Sequence, residues 1–115
     1  MKLSVLSEGL YDLNKKYIGK TSSNLKVYEI DGEYFRTYLD TDFAGGGHHL
    51  VYKNIIPRNE IWVEKVTNSR DQKAIILHEL VEHMLMLYFG MTYNEAHRRA
   101  NNMEHLFRNK FKLHQ

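Results

Sequence analysis

The sequence predicts an α+β domain, in which a small antiparallel or mixed sheet is followed by an antiparallel pair of C-terminal helices. Residues 24–66 hold short stretches of alternating apolar and polar side chains, which are typical of strands. The last third has helically spaced apolar residues and helix-capping signals. Strands and helices that are segregated along the chain favour α+β over α/β. With 115 residues, the chain is expected to form a single domain, 1–115.

The N-terminal segment predicts a first helix. Between residues 3 and 17, apolar side chains recur every three or four positions, although Gly9 weakens the pattern. These positions are Leu3, Leu6, Leu10, Leu13 and Tyr17.

The middle of the chain predicts a hairpin and two further strands. Residues 25–30 alternate, Asp31-Gly32 is typical of a tight turn, and residues 34–39 resume the pattern, which together indicate a β-hairpin. The two further strands are predicted at residues 49–55 and 60–66, on either side of a turn at Pro57-Arg58-Asn59.

A long helix is predicted from Ser69 to Phe89. Ser69 with Gln72 three residues later has the spacing of a capping box, and an apolar stretch follows. Gly90 is a typical helix terminator.

A second long helix is predicted from Tyr93 to about Phe111. Thr92 with Glu95 repeats the capping-box spacing. Because only about two residues connect the two helices, we expect an antiparallel pair.

The composition excludes several classes of protein. The chain has no cysteine, so disulfides, thiolate metal sites and a cysteine nucleophile are excluded, and a metal would need His, Asp or Glu. It has seven histidines, a high number for this length. Its formal net charge of +2 is too small to indicate nucleic-acid binding. We find neither a signal peptide nor a membrane-spanning stretch, so a cytoplasmic protein is expected. The absence of G-x-S-x-G makes a serine hydrolase unlikely.

The segment from residue 75 to 87 carries the chemistry. At about 100° per residue, His78 and Glu82 lie about 40° apart on a helix and project side by side, so that they can hold one metal ion. Glu79 lies beside this pair and is placed to deprotonate a water molecule on the ion. His83 with His78 is the second choice of ligand pair, because residues five apart diverge unless the helix has a π-bulge.

A solvated helix face is the alternative explanation of these charged residues. From Ala74 to Phe89, however, there is no Lys, Arg, Asn, Gln, Ser or Thr. A helix that is apolar around most of its circumference is buried, and buried carboxylates and imidazoles need partners or a metal. The sequence therefore favours a metal site.

The second helix supplies candidates for a third ligand. Ala96 and Ala100 are small, so this helix can approach its neighbour closely. The apolar stripe predicted for this helix consists of Tyr93, Ala96, Ala100, Met103, Phe107 and Phe111. His97 and Glu104, seven residues apart, lie about 20° from each other at the edge of this stripe. Either side chain could face the metal.

The second unusual segment is Gly45-Gly46-Gly47-His48-His49. It is either a flexible loop that enters a strand or a rim of the site. In the second case the glycines let a substrate backbone come close. His48 or His49 would then polarise the substrate or join the metal.

The run HELVEH, followed by a helix with a His or Glu ligand candidate, resembles the zincin metallopeptidases over about residues 60 to 108. The resemblance implies a mixed or antiparallel sheet packed on the motif helix, a bound Zn²⁺ and hydrolysis of a peptide bond. It places His78 and Glu82 at two ligand positions, Glu79 at the position of the general base and His97 at the third ligand position. Glu82 replaces the second histidine, which leaves Fe²⁺ or Mn²⁺ open as the metal.

The longer pattern also resembles a group of small prokaryotic and phage-borne proteins. It consists of the runs GGGHHLVY, IPRNEIWVE, HELVEH and MTYNEAHRRA together with Glu104.

Three functions follow from these observations. The first is a zinc-dependent, zincin-like hydrolase that cleaves a peptide or amide-like bond, with a peptide or protein as its substrate. The second is a non-enzymatic binding or regulatory protein, such as a phage-encoded regulator, in which the His/Glu cluster is a structural metal site or a buried polar network. The third is a nucleic-acid binder that uses the basic C-terminal helix, and the lack of interleaved aromatic residues makes it the weakest.

Overall fold

The computed structural model describes residues 13–66 and 68–113. The chain divides into two compact units, with the boundary between Lys65 and Val66. The first unit contains a mixed sheet and a short helix, and the second contains two long helices. The α+β class predicted from the sequence is therefore confirmed.

The sheet of the described residues has four strands in the order β1-β2-β4-β3. They are β1 (Lys16–Lys20), β2 (Lys26–Ile30), β3 (Gly46–His48) and β4 (Glu60–Glu64). β1 pairs with β2 and β3 with β4 in antiparallel fashion, whereas β2 and β4 are parallel. The predicted strand at residues 60–66 is confirmed over its first five residues.

The predicted β-hairpin with its turn at Asp31-Gly32 is wrong, because its second strand does not form. Residues Gly32–Tyr38 form a helix, α1, rather than a strand. The Asp31 side chain accepts a hydrogen bond from the Tyr34 backbone N–H at 3.1 Å, so Asp31 caps a helix instead of forming a hairpin turn. The antiparallel partner of β2 is β1.

Two further predictions in the first unit need correction. Residues 49–55 form turns, and the strand of this region is β3, which ends at His48. The predicted N-terminal helix lies outside the described residues up to position 12, while residues 13–17 form a turn and the start of β1. Asn14 has a φ of 53°, a left-handed conformation that a helix interior does not accommodate.

The core of the first unit lies around the sheet and α1. Among the described residues, six of its buried side chains form one packed cluster, with aromatic rings of α1, β4 and the loops in edge and tilted contact. They are Leu13, Ile30, Phe35, Phe43, Ile56 and Trp62.

The second unit consists of α2 (Ser69–Phe89) and α3 (Tyr93–Leu113). The N-cap of α2 is Asn68 rather than Ser69, because the Asn68 side chain accepts a hydrogen bond from the Arg70 backbone N–H. At the other end the helix terminates at Gly90, as predicted, and Gly90 adopts the left-handed conformation with a φ of 65°. Among the described residues, no helix is long and apolar enough to cross a membrane.

The α2–α3 pair is antiparallel, as predicted. Side chains near the N-terminus of α2 meet those near the C-terminus of α3, and the order of contacts reverses along the pair. Ala96 and Ala100 are fully buried, in agreement with the close approach that their small size predicts.

Candidate metal centre

Four titratable side chains of α2 are buried: His78, Glu79, Glu82 and His83. They occupy helix positions 78–83, so successive turns of one helix hold them near each other. His78 Nε2 lies 3.2 Å from Glu82 Oε2, the side-by-side placement expected for residues four apart. Glu82 is only 2% exposed, so its carboxylate is removed from bulk water.

α3 contributes His97 to this pair. His97 Nδ1 lies 2.8 Å from Glu82 Oε2 and 3.3 Å from His78 Nε2. One carboxylate oxygen and two imidazole nitrogens therefore form a triangle that joins the two helices. We call His78, Glu82 and His97 the ligand triangle.

The dimensions of the ligand triangle suit a transition metal. In a tetrahedral zinc site with Zn–N distances of about 2.0–2.1 Å, neighbouring ligand atoms lie about 3.3 Å apart. The three sides of the triangle measure 2.8, 3.2 and 3.3 Å. Imidazole and carboxylate are ligands that Zn²⁺, Fe²⁺ and Mn²⁺ all accept.

The position of His78 between two carboxylates is a second sign of a cation. Its Nε2 faces Glu82, while its Nδ1 lies 3.1 Å from Glu104 Oε1, without the alignment of a hydrogen bond. A neutral imidazole has one N–H and can donate to only one of these carboxylates. The other nitrogen faces its carboxylate favourably only with a second proton or beside a cation.

Glu104 is held by a chain of charged groups that crosses the helix pair. Its Oε2 accepts a hydrogen bond from Arg108 Nε at 2.9 Å, and Arg108 Nη1 contacts Asp71 Oδ1 at 2.6 Å. Glu104 contacts His78 at Nδ1, the ring nitrogen that does not belong to the ligand triangle. In metal sites such a carboxylate orients the ligating imidazole.

Glu79 lies beside the ligand triangle without belonging to it. Its Oε2 is 4.0 Å from His78 Nε2. Burial raises the pKa of Glu79 well above the ordinary value of 4.5, and the carboxylates of Glu82 and Glu104 raise it further. Glu79 is therefore more basic than an ordinary glutamate, and it lies next to two candidate ligands.

Tyr93 is a residue of the site that the sequence interpretation treated only as part of an apolar stripe. Its ring stacks on the His97 imidazole, with centroids 5.1 Å apart. Burial and the carboxylates of Glu82 and Glu79 raise the pKa of its phenol. The i, i+4 spacing of Tyr93 and His97 was the signal that could have revealed this contact.

The remaining candidates are placed as follows. His83 is buried on α2, and it belongs to none of the metal-holding groups found within the described residues. His48 is fully buried at the end of β3 and His49 follows in a turn, both in the first unit. Burial lowers the pKa of His49, with His48 and Arg58 contributing, which favours its neutral form.

No family model, curated protein or solved structure matches this chain. The function is therefore inferred from the geometry of the cluster itself.

Proposed function

We propose that this protein is a metal-dependent, zincin-like hydrolase that acts on a peptide or amide-like bond. The ligand triangle carries the proposal: one carboxylate and two imidazoles converge from two helices at metal-site spacing. His78, Glu82 and His97 would hold the ion, most simply Zn²⁺, with Fe²⁺ or Mn²⁺ as alternatives. Three protein ligands leave a fourth position for water, as in catalytic rather than structural zinc sites.

The surroundings of the ligand triangle fit hydrolysis. A bound ion would supply Lewis acidity and lower the pKa of a water molecule. Glu79 is next to the triangle and is proposed to accept a proton from that water and return it to the leaving group. The His97 side chain is 40% exposed, so a substrate can approach from this side. Glu104 keeps the His78 ring in place.

A binding protein with a structural metal is the second candidate. The hydrogen bond between His97 and Glu82 already links α2 to α3, so the cluster could serve only to hold the helices together. Nucleic-acid binding is a weaker proposal. Two of the five basic residues of α3 are engaged, because Arg99 contacts Glu95 and Arg108 contacts Asp71 and Glu104.

Metal content tests the site. Protein purified without a chelator or a histidine tag is incubated with Zn²⁺, Fe²⁺ or Mn²⁺ above about pH 6.5, where imidazoles are neutral, and is analysed by mass spectrometry of its elements. We expect about one ion per chain, as in mononuclear catalytic sites. His78→Ala, Glu82→Ala and His97→Ala should lose it, whereas His83→Ala, a buried histidine of the same helix, should retain it.

Two results would contradict the site. Absence of metal from the wild-type protein under all these conditions would refute any metal-dependent function. Loss of metal in His83→Ala with retention in Glu82→Ala would show that the ligands are wrongly assigned.

Glu79→Gln separates an enzyme from a structural metal site. The substitution keeps the shape of the side chain and removes its basicity, so metal content and fold should be unchanged. Hydrolysis of a mixture of quenched fluorogenic peptides should fall by roughly 10²–10⁴, the usual contribution of a positioned base. Peptide hydrolysis that is unchanged in metal-loaded Glu79→Gln would refute the role of Glu79, and a wild-type protein that binds metal but cleaves no peptide would favour the binding protein. Loss of metal in Glu79→Gln would mean that Glu79 is itself a ligand.

A further inference from the structure

An apolar groove lies between α2 and α3, away from the ligand triangle. It has a volume of about 390 Å³. Its lining comes from one face of each helix and consists of Val81, Met84, Leu85, Arg99, Asn102 and Met103. Met84 is 40% and Met103 44% exposed, so two flexible apolar side chains of this groove remain in contact with water.

Leu106 lies immediately next to the groove on α3. It is 65% exposed, and it is three and four residues from the lining residues Met103 and Asn102. The same surface therefore presents an open apolar groove and a projecting apolar side chain. A surface that contains both features can pack against a copy of itself across a twofold axis, because the projecting side chain of each copy can cover the groove of the other.

The charges of α3 follow the same twofold pattern. At about 100° per residue, the three groove residues of α3 fall within an arc of about 100° together with Glu95, Leu106 and Lys110. We call these six residues the α3 strip. This strip begins with the acidic Glu95 and ends with the basic Lys110. If two copies of α3 cross antiparallel with the axis between Asn102 and Met103, Glu95 of each faces Lys110 of the other.

The same arrangement places Leu106 of one copy opposite Arg99 of the other, over the groove. The aliphatic part of an arginine side chain packs against apolar groups while its guanidinium stays in water. Arg99 is 52% exposed and its contact with Glu95 is long, at 3.4 Å, so it can adjust to a partner. Nothing in the strip places like charges against each other in this register.

From this self-complementarity we infer that the groove between α2 and α3 is a homodimer interface, occupied by the α3 strip of a second copy of this chain. The occupant is set by the order of charges and by Leu106 beside the groove. The interface is separate from the ligand triangle, so its test does not depend on the proposed hydrolase activity.

The mass of the full chain in solution tests the dimer. Sedimentation over a range of concentrations should show a species of twice the 13.7 kDa chain mass, with a dissociation constant below about 100 μM. Leu106→Glu should raise that constant roughly 100-fold, because two leucines leave the interface in each dimer. Far-UV circular dichroism should show an unchanged fold, since Leu106 is largely exposed.

A charge exchange tests the register. Lys110→Glu alone should weaken the dimer about tenfold, because it places carboxylates opposite each other in both pairs of the interface. Adding Glu95→Lys should restore the wild-type dissociation constant to within about threefold, since the opposite charges meet again in reverse. His105→Glu changes charge on the same helix outside the strip and should have no effect.

Three results would overturn the inference. A wild-type chain that stays monomeric at about 500 μM would refute the homodimer, as would a dimer that Leu106→Glu leaves intact. A dimer that the charge exchange fails to restore would refute the antiparallel register. A groove that binds a different protein while the chain remains monomeric would show that the occupant is wrong.

Discussion

Glu104 provides a sharp test of how the ligand triangle is supported. Its carboxylate lies behind the triangle, 3.1 Å from His78 Nδ1, and is fixed by Arg108 at 2.9 Å. Substitution therefore leaves all three proposed ligands in place and removes only the group that orients one of them. Glu104→Gln removes the charge but keeps an oxygen, whereas Glu104→Ala removes both.

The size of the effect follows from these contacts. Loss of a carboxylate behind a ligating histidine weakens metal binding by about 10–100-fold, or about 1.4–2.7 kcal/mol. Glu104→Gln should fall near the lower figure, because its amide oxygen still places a polar group next to His78 Nδ1. Glu104→Ala should fall near the upper figure, because no oxygen then faces His78 Nδ1 and Arg108 keeps its contact with Asp71 alone.

Competition between the protein and a chromophoric zinc chelator measures these affinities. Glu95→Gln is the matched control, because Glu95 is on the same helix and also contacts an arginine four residues later. The control should bind zinc as the wild type does. Equal affinities for Glu104→Ala and wild type would refute the orienting role. Complete loss of metal in Glu104→Ala, with metal retained in His97→Ala, would make Glu104 the third ligand.

Three further predictions concern stability, each read from chemical denaturation. Gly32→Ala should destabilise the first unit by about 1–3 kcal/mol, because a Cβ at this position would lie 2.6 Å from Glu64 Cγ and displace the ion pair of Glu64 with Arg36; equal stability would show that Glu64 moves freely. The hydrogen bond from Arg36 holds the pKa of Glu64 below its ordinary 4.5. The Arg36–Glu64 pair should therefore contribute to the free energy of unfolding above about pH 4.5, and this contribution should be lost as the pH falls through the lowered pKa of Glu64. The difference in unfolding free energy between wild type and Glu64→Gln should then vanish in acid. Thr92→Ala removes the hydroxyl that accepts from the Glu95 backbone N–H at 3.3 Å and should cost about 1 kcal/mol of unfolding free energy, whereas Thr92→Ser should cost little.

Local signals predicted the helices of the second unit better than the strands of the first. Gly90 and Thr92 act within one helix turn, so their effect can be read from neighbouring residues alone. Asp31-Gly32 is a signal shared by hairpin turns and helix N-termini. The choice depends on Phe35, which α1 places in the core of the first unit, and the alternation of residues 34–39 does not contain that information.

In the candidate site, contacts within one helix were likewise predicted from the sequence, whereas contacts between the two helices were not. Helix periodicity predicted that His78 and Glu82 lie side by side, because both belong to one helix. It left His97 and Glu104 as alternatives, because their roles depend on how α3 is rotated against α2. In the structure both contact His78, one at each ring nitrogen. Only the packing of the two helices distinguishes a proposed ligand from the carboxylate behind it.

The second unit has an unusual interior for a helix pair. Its buried apolar residues, within the part of the chain that the structure describes, are the alanines 74, 96 and 100. Its other buried residues are the two histidines and two glutamates of α2. Alanine side chains bury little apolar area, so they stabilise the pair weakly.

We therefore expect the contacts of His78 and Glu82 with His97 to contribute to the stability of the pair. A ligand that binds only the folded protein stabilises it by about 2.7 kcal/mol at a concentration 100 times its dissociation constant. An ion held by residues of both α2 and α3 would be such a ligand, since the ligand triangle exists only when the helices are paired. Occupation of the site and the folding of the second unit are then one equilibrium. On this proposal, a substitution in the triangle would lower metal affinity and stability together, so activity measurements on such variants have to be compared at equal metal occupancy.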